Sequence, residues 1–226
     1  MARQRQERKN RKQDIVRAFG DMVAERGYDN VSLRDVAEAL DMSKGTILHH
    51  FGSKDRLLEH VHSDYMERRL AEAHALLARI ESPPDQLAAL IYQLMLAEHH
   101  DHSSTVAFAR EIVRFASDEI MSDVRRMREE YTALLRGVVQ RGMDEGAFVE
   151  ANPVIVTLQI FGMCNWSWTW YRPEGAWSAE DIADTFVRVT LGGLATPRRQ
   201  PKVSSDVADV VHATMAARAE PAVAAG

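Results

Sequence analysis

The sequence of 226 residues contains a single cysteine, Cys164, and lacks any long apolar run. One thiol excludes an intrachain disulfide and any cysteine-rich zinc or iron–sulfur site. The longest apolar stretch, Leu87 to Ala97, is interrupted by Gln93 and falls well short of the roughly 20 residues that span a bilayer. No apolar signal core follows the charged N-terminus, so we expect a cytoplasmic protein with no membrane partner.

Catalytic and metal-binding motifs are also missing. The sequence has no GxSxG, P-loop or HExxH motif and no GxGxxG after a strand, so we predict that the protein is not an enzyme and holds no cofactor. The run His99-His100-Asp101-His102 offers ligands for zinc or nickel. Adjacent residues seldom converge on one ion, so we interpret this run as a polar loop and predict no metal site.

Charge is unevenly distributed along the chain. The whole sequence has 28 Lys and Arg against 33 Asp and Glu, a net charge of −5, whereas residues 1–12 hold six basic residues and one acidic residue. A basic segment on an acidic protein indicates a polyanionic partner at that end. A solvated, frayed terminus is the alternative interpretation.

Apolar residues recur at helical spacing through most of the chain, and strand patterns are nearly absent. A first helix ends at Gly27, a short helix follows at 33–40 and another at Lys44 to His50. Later helices are predicted at 54–81, 85–99, 104–116, 118–145, 153–171 and 179–195. The Pro-, Ala- and Ser-rich tail from Thr196 is expected to be loosely ordered, with at most a weak helix over 206–219.

The two short helices at 33–40 and 44–50, joined by a tight turn, predict a helix-turn-helix. In this motif the second helix lies in the DNA major groove, with its N-terminal side chains on base edges. Ile47 and Phe51 would face inward, and Lys44, Thr46 and His49 outward. Any helical bundle contains such helix pairs, so the spacing alone is a weak indication.

More specific motifs surround this helix pair, and through them residues 12–58 resemble the DNA-binding domain of the TetR family. The matching residues are Phe19, Gly27-Tyr28, Val31-Ser32-Leu33-Arg34-Asp35-Val36-Ala37, Ser43-Lys44-Gly45-Thr46-Ile47, His50-Phe51, Ser53-Lys54 and Leu57-Leu58. The resemblance implies an all-α homodimer with an N-terminal three-helix DNA-binding domain and a C-terminal helical ligand-binding and dimerisation domain. The expected divisions are a basic arm at 1–11, the helix-turn-helix domain at 12–53, the ligand domain at 54–195 and a tail at 196–226.

By the same resemblance, one set of residues contacts DNA. Phosphates would be held by Arg34, Ser43 and Lys54, and bases read by Lys44, Thr46 and His49. Gly45 permits close approach of the backbone, and His50 would lie between backbone contact and packing. Two positions depart from the family pattern. Asp41 replaces the usual turn glycine and tolerates a left-handed conformation, and Leu48 replaces a tyrosine that commonly touches a phosphate.

Three of the four tryptophans lie within Trp166–Trp170, a segment that resembles TetR members sensing acyl-CoA thioesters. On a helix, Trp166 and Trp170 would share one face and line a pocket beside Arg172. Arg110 and Arg114 are further candidates for the polar end of a ligand. Candidates for an apolar tunnel are Met95, Phe108, Phe115, Met127 and Tyr131. Core packing is the alternative reading of these apolar residues.

The resemblance predicts a repressor that leaves its operator DNA when a small molecule binds, with an acyl-CoA or related lipid or sterol thioester as the effector. The alternatives are a drug, an aromatic compound or a metal as effector, or a non-catalytic helical protein-interaction module. Apolar residues of the helices at 153–171 and 179–195 are expected to form a two-fold dimer interface.

Overall fold

The computed structural model describes residues 2–113, 118–195 and 206–216, with side chains from residue 10 onward. These residues are mostly helical, and outside the helices one antiparallel bridge pairs Phe148 with Ala195. The helices are α1 (Ala2–Arg26), α2 (Leu33–Ala39), α3 (Lys44–Phe51), α4 (Lys54–Leu77), α5 (Pro83–His100), α6 (His102–Glu111), α7 (Ser122–Asp144), α8 (Pro153–Asn165), α9 (Ala179–Leu194) and α10 (Asp206–Ala216). Short 3-10 turns occur at Tyr28–Asn30, Glu119–Met121 and Ser167–Thr169. The predicted all-α fold is confirmed.

The chain divides into two compact units. The N-terminal unit comprises Met1–Glu67 and Asp101–Met127, and the C-terminal unit comprises Arg68–His100 and Arg128–Gly226. Two of the three boundaries fall inside α4 and α7 and the third falls between α5 and α6, so each unit is built from two separate stretches of sequence. Among the described residues, no helix is both long enough and apolar enough to cross a membrane.

The core of the N-terminal unit follows the helical spacing of its apolar residues. Ile15, Phe19 and Val23 of α1 are fully buried and lie one turn apart. Gly27, with φ of +79°, ends α1 in a conformation that other residues rarely adopt. Helix α1 packs against α2 and α6, and α2 packs against α3.

Helix α5 is the centre of the C-terminal unit. Its residues Leu87 to Ile91 are fully buried, as expected for a helix that is apolar on all sides. Helices α8, α9 and α10 all pack against it. Buried residues of α10 include Val207 and Val211, so the part of the tail for which a weak helix was predicted packs against α5.

Two predicted helix boundaries differ from the structure. Helix α1 begins at Ala2, so the basic segment predicted as a separate arm continues directly into the first helix. Helix α8 ends at Asn165 instead of continuing to residue 171. The hydroxyl of Ser167 donates to the Cys164 carbonyl oxygen at 2.5 Å, and such a local bond competes with helix continuation. A 3-10 turn at Ser167–Thr169 follows, with Trp168 inside it and Trp166 and Trp170 on either side, so the expectation that Trp166 and Trp170 share a helix face is wrong.

Candidate DNA-binding and ligand-binding sites

The helix-turn-helix is fixed by local hydrogen bonds at each of its ends. Ser32 and Asp35 form a reciprocal capping box, with the Asp35 amide donating to Ser32 Oγ at 3.2 Å and the Ser32 amide donating to Asp35 Oδ2 at 2.7 Å. These bonds lower the pKa of Asp35, chiefly through the Ser32 amide. In the turn, Asp41 adopts φ of +50°, as predicted for the residue that replaces glycine.

Helix α3 has one buried face and one exposed face. Ile47 and Phe51 are buried, whereas Lys44 and His49 are exposed to solvent. Ser43 caps the helix and its Oγ accepts the Thr46 amide at 3.0 Å. The two hydroxyls lie 2.9 Å apart. Ser43 and Thr46 thus form a polar pair at the N-terminus of the helix, where backbone N–H groups favour anions.

Gly45 lies on the exposed face of α3, directly after Lys44. A Cβ atom added at this position would meet only Ser43 Oγ, at 3.5 Å. That distance is an ordinary contact, so packing within the chain does not require a glycine here. Because packing does not require a glycine at this exposed position, its missing side chain suits close approach by the backbone of a bound molecule.

The basic residues assigned to phosphates have partners within the chain. Arg34 Nε lies 2.8 Å from Glu38 Oε1 in an exposed ion pair, which raises the pKa of Arg34. Lys54 Nζ donates to the Tyr28 carbonyl oxygen at 2.6 Å and lies 3.9 Å from the centre of the Tyr28 ring. Lys54 thus ties the start of α4 to the 3-10 turn after α1. His50 is half-buried, with its ring edge against Phe51.

A further contact to the helix-turn-helix comes from a distant part of the sequence. Glu111, at the end of α6, is buried, and its Oε1 accepts the Tyr28 amide at 2.9 Å. The neighbouring Arg110 Nη1 donates to the Ala24 carbonyl oxygen at 3.3 Å. We call Arg110 and Glu111 the α6 clasp, because they hold the junction that follows α1. No local sequence signal indicated this role for Glu111.

The ligand candidates fall in both units. In the N-terminal unit, Phe108 stacks on Tyr65 with ring centres 4.6 Å apart, Met127 is buried, and Arg110 belongs to the α6 clasp. In the C-terminal unit are Met95, Tyr131, Trp166, Trp170 and Arg172. Arg114 and Phe115 lie outside the described residues.

One ligand candidate of the C-terminal unit, Tyr131, belongs to a buried polar network, and another, Met95, is a core residue. Met95 is fully buried on α5. The Tyr131 hydroxyl donates to Gln93 Oε1 at 2.9 Å, and Gln93 Nε2 donates to the Arg69 carbonyl oxygen at 2.7 Å. The Arg69 guanidinium forms a buried ion pair with Glu72, with Nη2 and Oε1 3.0 Å apart. In ligand pockets, a few polar groups in a mostly apolar lining fix the orientation of the bound ligand. The polar network of Tyr131, Gln93 and Arg69 has this character.

The tryptophan turn, residues 166–171, is anchored to the end of α5. Ser167 Oγ lies 2.8 Å from Glu98 Oε1, within hydrogen-bonding distance, and burial raises the pKa of Glu98 to about 7. Trp166 remains 64% exposed. Arg172, also exposed, donates from Nη1 to the Tyr171 carbonyl oxygen at 2.7 Å. The turn therefore presents an indole ring and a guanidinium at the surface of its unit.

The histidine run lies at helix ends instead of in a loop. His99 and His100 end α5, Asp101 precedes α6, and His102 begins α6. The Tyr171 hydroxyl lies 3.4 Å from His99 Nδ1. Within the described ranges, no group of three or more His, Cys, Asp and Glu side chains is arranged to hold a metal ion.

Two family models match this chain. The model described as bacterial regulatory proteins, tetR family, covers residues 15–61, and the model described as tetracyclin repressor-like, C-terminal domain, covers residues 81–194. The chain belongs to the TetR family. As in other TetR proteins, the helix-turn-helix is the DNA-binding element of a transcriptional regulator.

Several TetR repressors resemble the chain over most of its length. The HTH-type transcriptional repressor KstR2 of Mycolicibacterium smegmatis is 25% identical over 186 residues, which cover 82% of this chain and 91% of that protein. The solved structure of the ketosteroid transcriptional regulator KstR2 of Mycobacterium tuberculosis has a TM-score of 0.77 at 24% identity, covering 82% of this chain and 95% of that one. AibR, solved in complex with isovaleryl coenzyme A and operator DNA, has a TM-score of 0.74 at 21% identity, covering 79% and 97%. These structures share the fold.

Proposed function

We propose that the protein is a cytoplasmic, homodimeric TetR repressor that leaves its operator when it binds an acyl-CoA or a related lipid or sterol thioester. The DNA-binding part of this proposal is supported by the exposed face of α3, with Lys44, Gly45 and His49. The ligand part is supported by the tryptophan turn beside Arg172. The order of events is ligand binding, a change in the arrangement of the two DNA-binding units of a dimer, and lower operator affinity.

Dimerisation is supported by an exposed apolar surface on α8 and α9. Ile155 and Leu158 of α8 are 63% and 60% exposed, and Val189 of α9 is 67% exposed. Ile155 and Leu158 are three residues apart and so share a face of α8, and contiguous exposed apolar side chains usually mark an interface. A dimer is also what DNA recognition requires, because one helix-turn-helix reads a single half-site and binds weakly alone.

An acyl-CoA combines a long apolar chain with a flat adenine ring and several phosphates. The C-terminal unit has the matching groups: an apolar interior that includes Met95, the exposed indole of Trp166, and the guanidinium of Arg172 for a phosphate. The names of two similar proteins agree with an acyl-CoA or related lipid as the effector. One regulator, AibR, was solved with isovaleryl coenzyme A, and a Bacillus subtilis relative, 20% identical over 182 residues, is a fatty acid metabolism regulator protein.

The test is a fluorescence-anisotropy titration of the purified protein on labelled DNA from the region upstream of its own gene. Palmitoyl-CoA is then added, with palmitate and coenzyme A alone as separate controls. We expect palmitoyl-CoA to release the DNA at micromolar concentration, and neither control to do so alone. DNA binding that is insensitive to acyl-CoA of every chain length would overturn the ligand assignment and leave the DNA-binding function intact.

A matched pair of variants then locates the ligand. Arg172→Ala should raise the palmitoyl-CoA concentration needed for release about tenfold, because a charge-assisted phosphate contact contributes on the order of 1.4 kcal/mol or more. Arg136→Ala, an exposed arginine on α7, is the control and should behave like the wild type. Equal responses of the two variants would remove Arg172 from the site.

A further inference from the structure

Helix α10 lies beyond the segment of the chain that matches the family. The family model of the C-terminal domain ends at residue 194, whereas α10 spans Asp206–Ala216 and packs against α5. Val207, Val211 and Thr214 are buried, and their spacing of four and three residues places them on one face of the helix. Helix α10 is therefore an addition to the C-terminal unit that is docked through a single face.

Polar contacts connect α10 to both ends of α5 and to the start of α9. Arg79, a few residues before α5, donates from Nη1 to Thr214 Oγ1 at 2.9 Å. His212 Nε2 lies 3.8 Å from Glu180 Oε1 in α9, and these two side chains are 40% and 41% exposed. The ring centre of His212 lies 6.3 Å from that of His100, the last residue of α5. Exposed pairs of this kind contribute little free energy, so the docking of α10 depends mainly on its buried face.

The same contacts lie on both sides of the tryptophan turn. Glu180 is the second residue of α9, the helix that follows the turn in the sequence. His100 is adjacent to His99, and His99 Nδ1 lies 3.4 Å from the hydroxyl of Tyr171, the last residue of the turn. Helix α10 thus lies beside α9 just after the turn and beside the α5 residue next to the partner of the turn.

Helix α10 also has the properties of an element that can detach. Isolated helices shorter than about 12–15 residues are marginal in water, and α10 has 11 residues. Its helical structure therefore depends on docking against α5. Elements that move when a ligand binds are drawn from the less stable parts of a fold, and a short helix docked through one face belongs to this class.

We propose that α10 is a lid on the ligand site of the C-terminal unit, so that docked α10 and a bound effector exclude each other. This inference rests on the proposed ligand role of the tryptophan turn. Val207 and Val211 cover part of the surface of α5, and an acyl chain that enters beside the turn needs apolar surface of the same unit. Docked α10 therefore weakens effector binding, and a lid that is open about one-tenth of the time raises the apparent Kd about tenfold.

The test compares two full-length variants that add the same charge to α10. Val211→Asp places a carboxylate on the docked face, where Val211 is fully buried, and should detach the helix. Ala213→Asp places the carboxylate on the exposed face and is the matched control. Hydrogen exchange checks that α10 detaches in the first variant alone, and circular dichroism checks that both keep the remaining helices. Palmitoyl-CoA is then titrated against each protein bound to the labelled upstream DNA.

Val211→Asp should release the DNA at about one-tenth of the palmitoyl-CoA concentration that the wild type needs, with the same DNA affinity before palmitoyl-CoA is added. Ala213→Asp should match the wild type. Because coupling between two binding events is reciprocal, palmitoyl-CoA should also speed hydrogen exchange of α10 in the wild-type protein. An equal or higher release concentration in Val211→Asp, or slower exchange of α10 when palmitoyl-CoA is bound, would overturn the inference.

A measurement without effector separates this inference from the proposed function. Docked α10 lies beside the tryptophan turn, so Val211→Asp should show more acrylamide quenching of tryptophan fluorescence than Ala213→Asp. Equal quenching of the two variants would show that α10 does not cover the turn and would overturn the lid. Unequal quenching, together with DNA binding that ignores palmitoyl-CoA in all three proteins, would refute the proposed effector and leave α10 as the cover of the turn.

Discussion

Replacement of Glu111 by alanine tests the α6 clasp. The Glu111 carboxylate is buried and accepts the backbone N–H of Tyr28 at 2.9 Å, from a residue 83 positions away in sequence. Alanine keeps helix α6 intact, because it has a high helix propensity. It leaves the Tyr28 amide buried without this acceptor, at the point where α1 gives way to the helix-turn-helix.

The expected cost can be worked out from this geometry. A hydrogen bond to a charged group contributes about 1.5–3 kcal/mol, and an unsatisfied buried N–H costs a comparable amount. We therefore expect Glu111→Ala to lower the free energy of unfolding by about 2–3 kcal/mol. Glu111→Gln keeps a carbonyl acceptor and loses only the charge, so it should cost about 1 kcal/mol.

Two measurements check this expectation. Urea denaturation followed by circular dichroism gives the free energy of unfolding, and hydrogen exchange reports the Tyr28 amide directly. The control is Glu25→Ala, because the Glu25 side chain is 70% exposed and forms a surface ion pair with Arg26, so its loss should cost less than about 0.5 kcal/mol. If the Tyr28 amide stayed protected in Glu111→Ala, or if both alanine variants were equally stable, the clasp would have no energetic role.

Three further predictions concern other parts of the molecule. Gly45→Ala should fold as well as the wild type, because the new Cβ meets only Ser43 Oγ at 3.5 Å, yet it should bind operator at least about tenfold more weakly; unchanged affinity in an anisotropy titration would argue against close approach of DNA. Burial raises the pKa of Glu98 from 4.5 to about 7 in the folded protein, so folding takes up a proton between these values. Wild-type stability should therefore fall as the pH rises from 4.5 to 7, by about 3 kcal/mol relative to Glu98→Gln, and parallel pH profiles of the two proteins would refute this. Leu158→Glu should convert the proposed dimer to a monomer in light scattering, and a dimer that persists at micromolar concentration would place the interface elsewhere.

The helix-turn-helix could be predicted because its determinants are local. Ser32 with Asp35, and Ser43 with Thr46, are capping pairs separated by three residues. Asp41 takes the left-handed conformation predicted from its position in the turn. Each of these features depends on neighbours within a few residues, so the sequence pattern contains the information needed to find it.

The features that the sequence did not reveal depend on distant partners. Ser167, just after the end of α8, lies within hydrogen-bonding distance of Glu98, which is 69 residues before it, and apolar periodicity does not indicate that contact. The bond from Arg110 to the Ala24 carbonyl oxygen likewise joins residues 86 positions apart, and the ligand role of Arg110 stays a prediction. Both contacts are tertiary and cannot be found from local sequence.

The α6 clasp also bears on how such regulators can be recombined. The family model for the DNA-binding domain covers residues 15–61, yet the acceptor for the Tyr28 amide is residue 111. A chimera that grafts only the first 60 residues onto another ligand domain would give this amide a foreign partner. Operator specificity could then be exchanged between relatives without loss of stability only if the last turn of α6 is transferred together with the first 60 residues. In evolution, position 111 should accordingly keep a side chain that accepts a hydrogen bond, although positions 28 and 111 belong to regions usually regarded as separate modules.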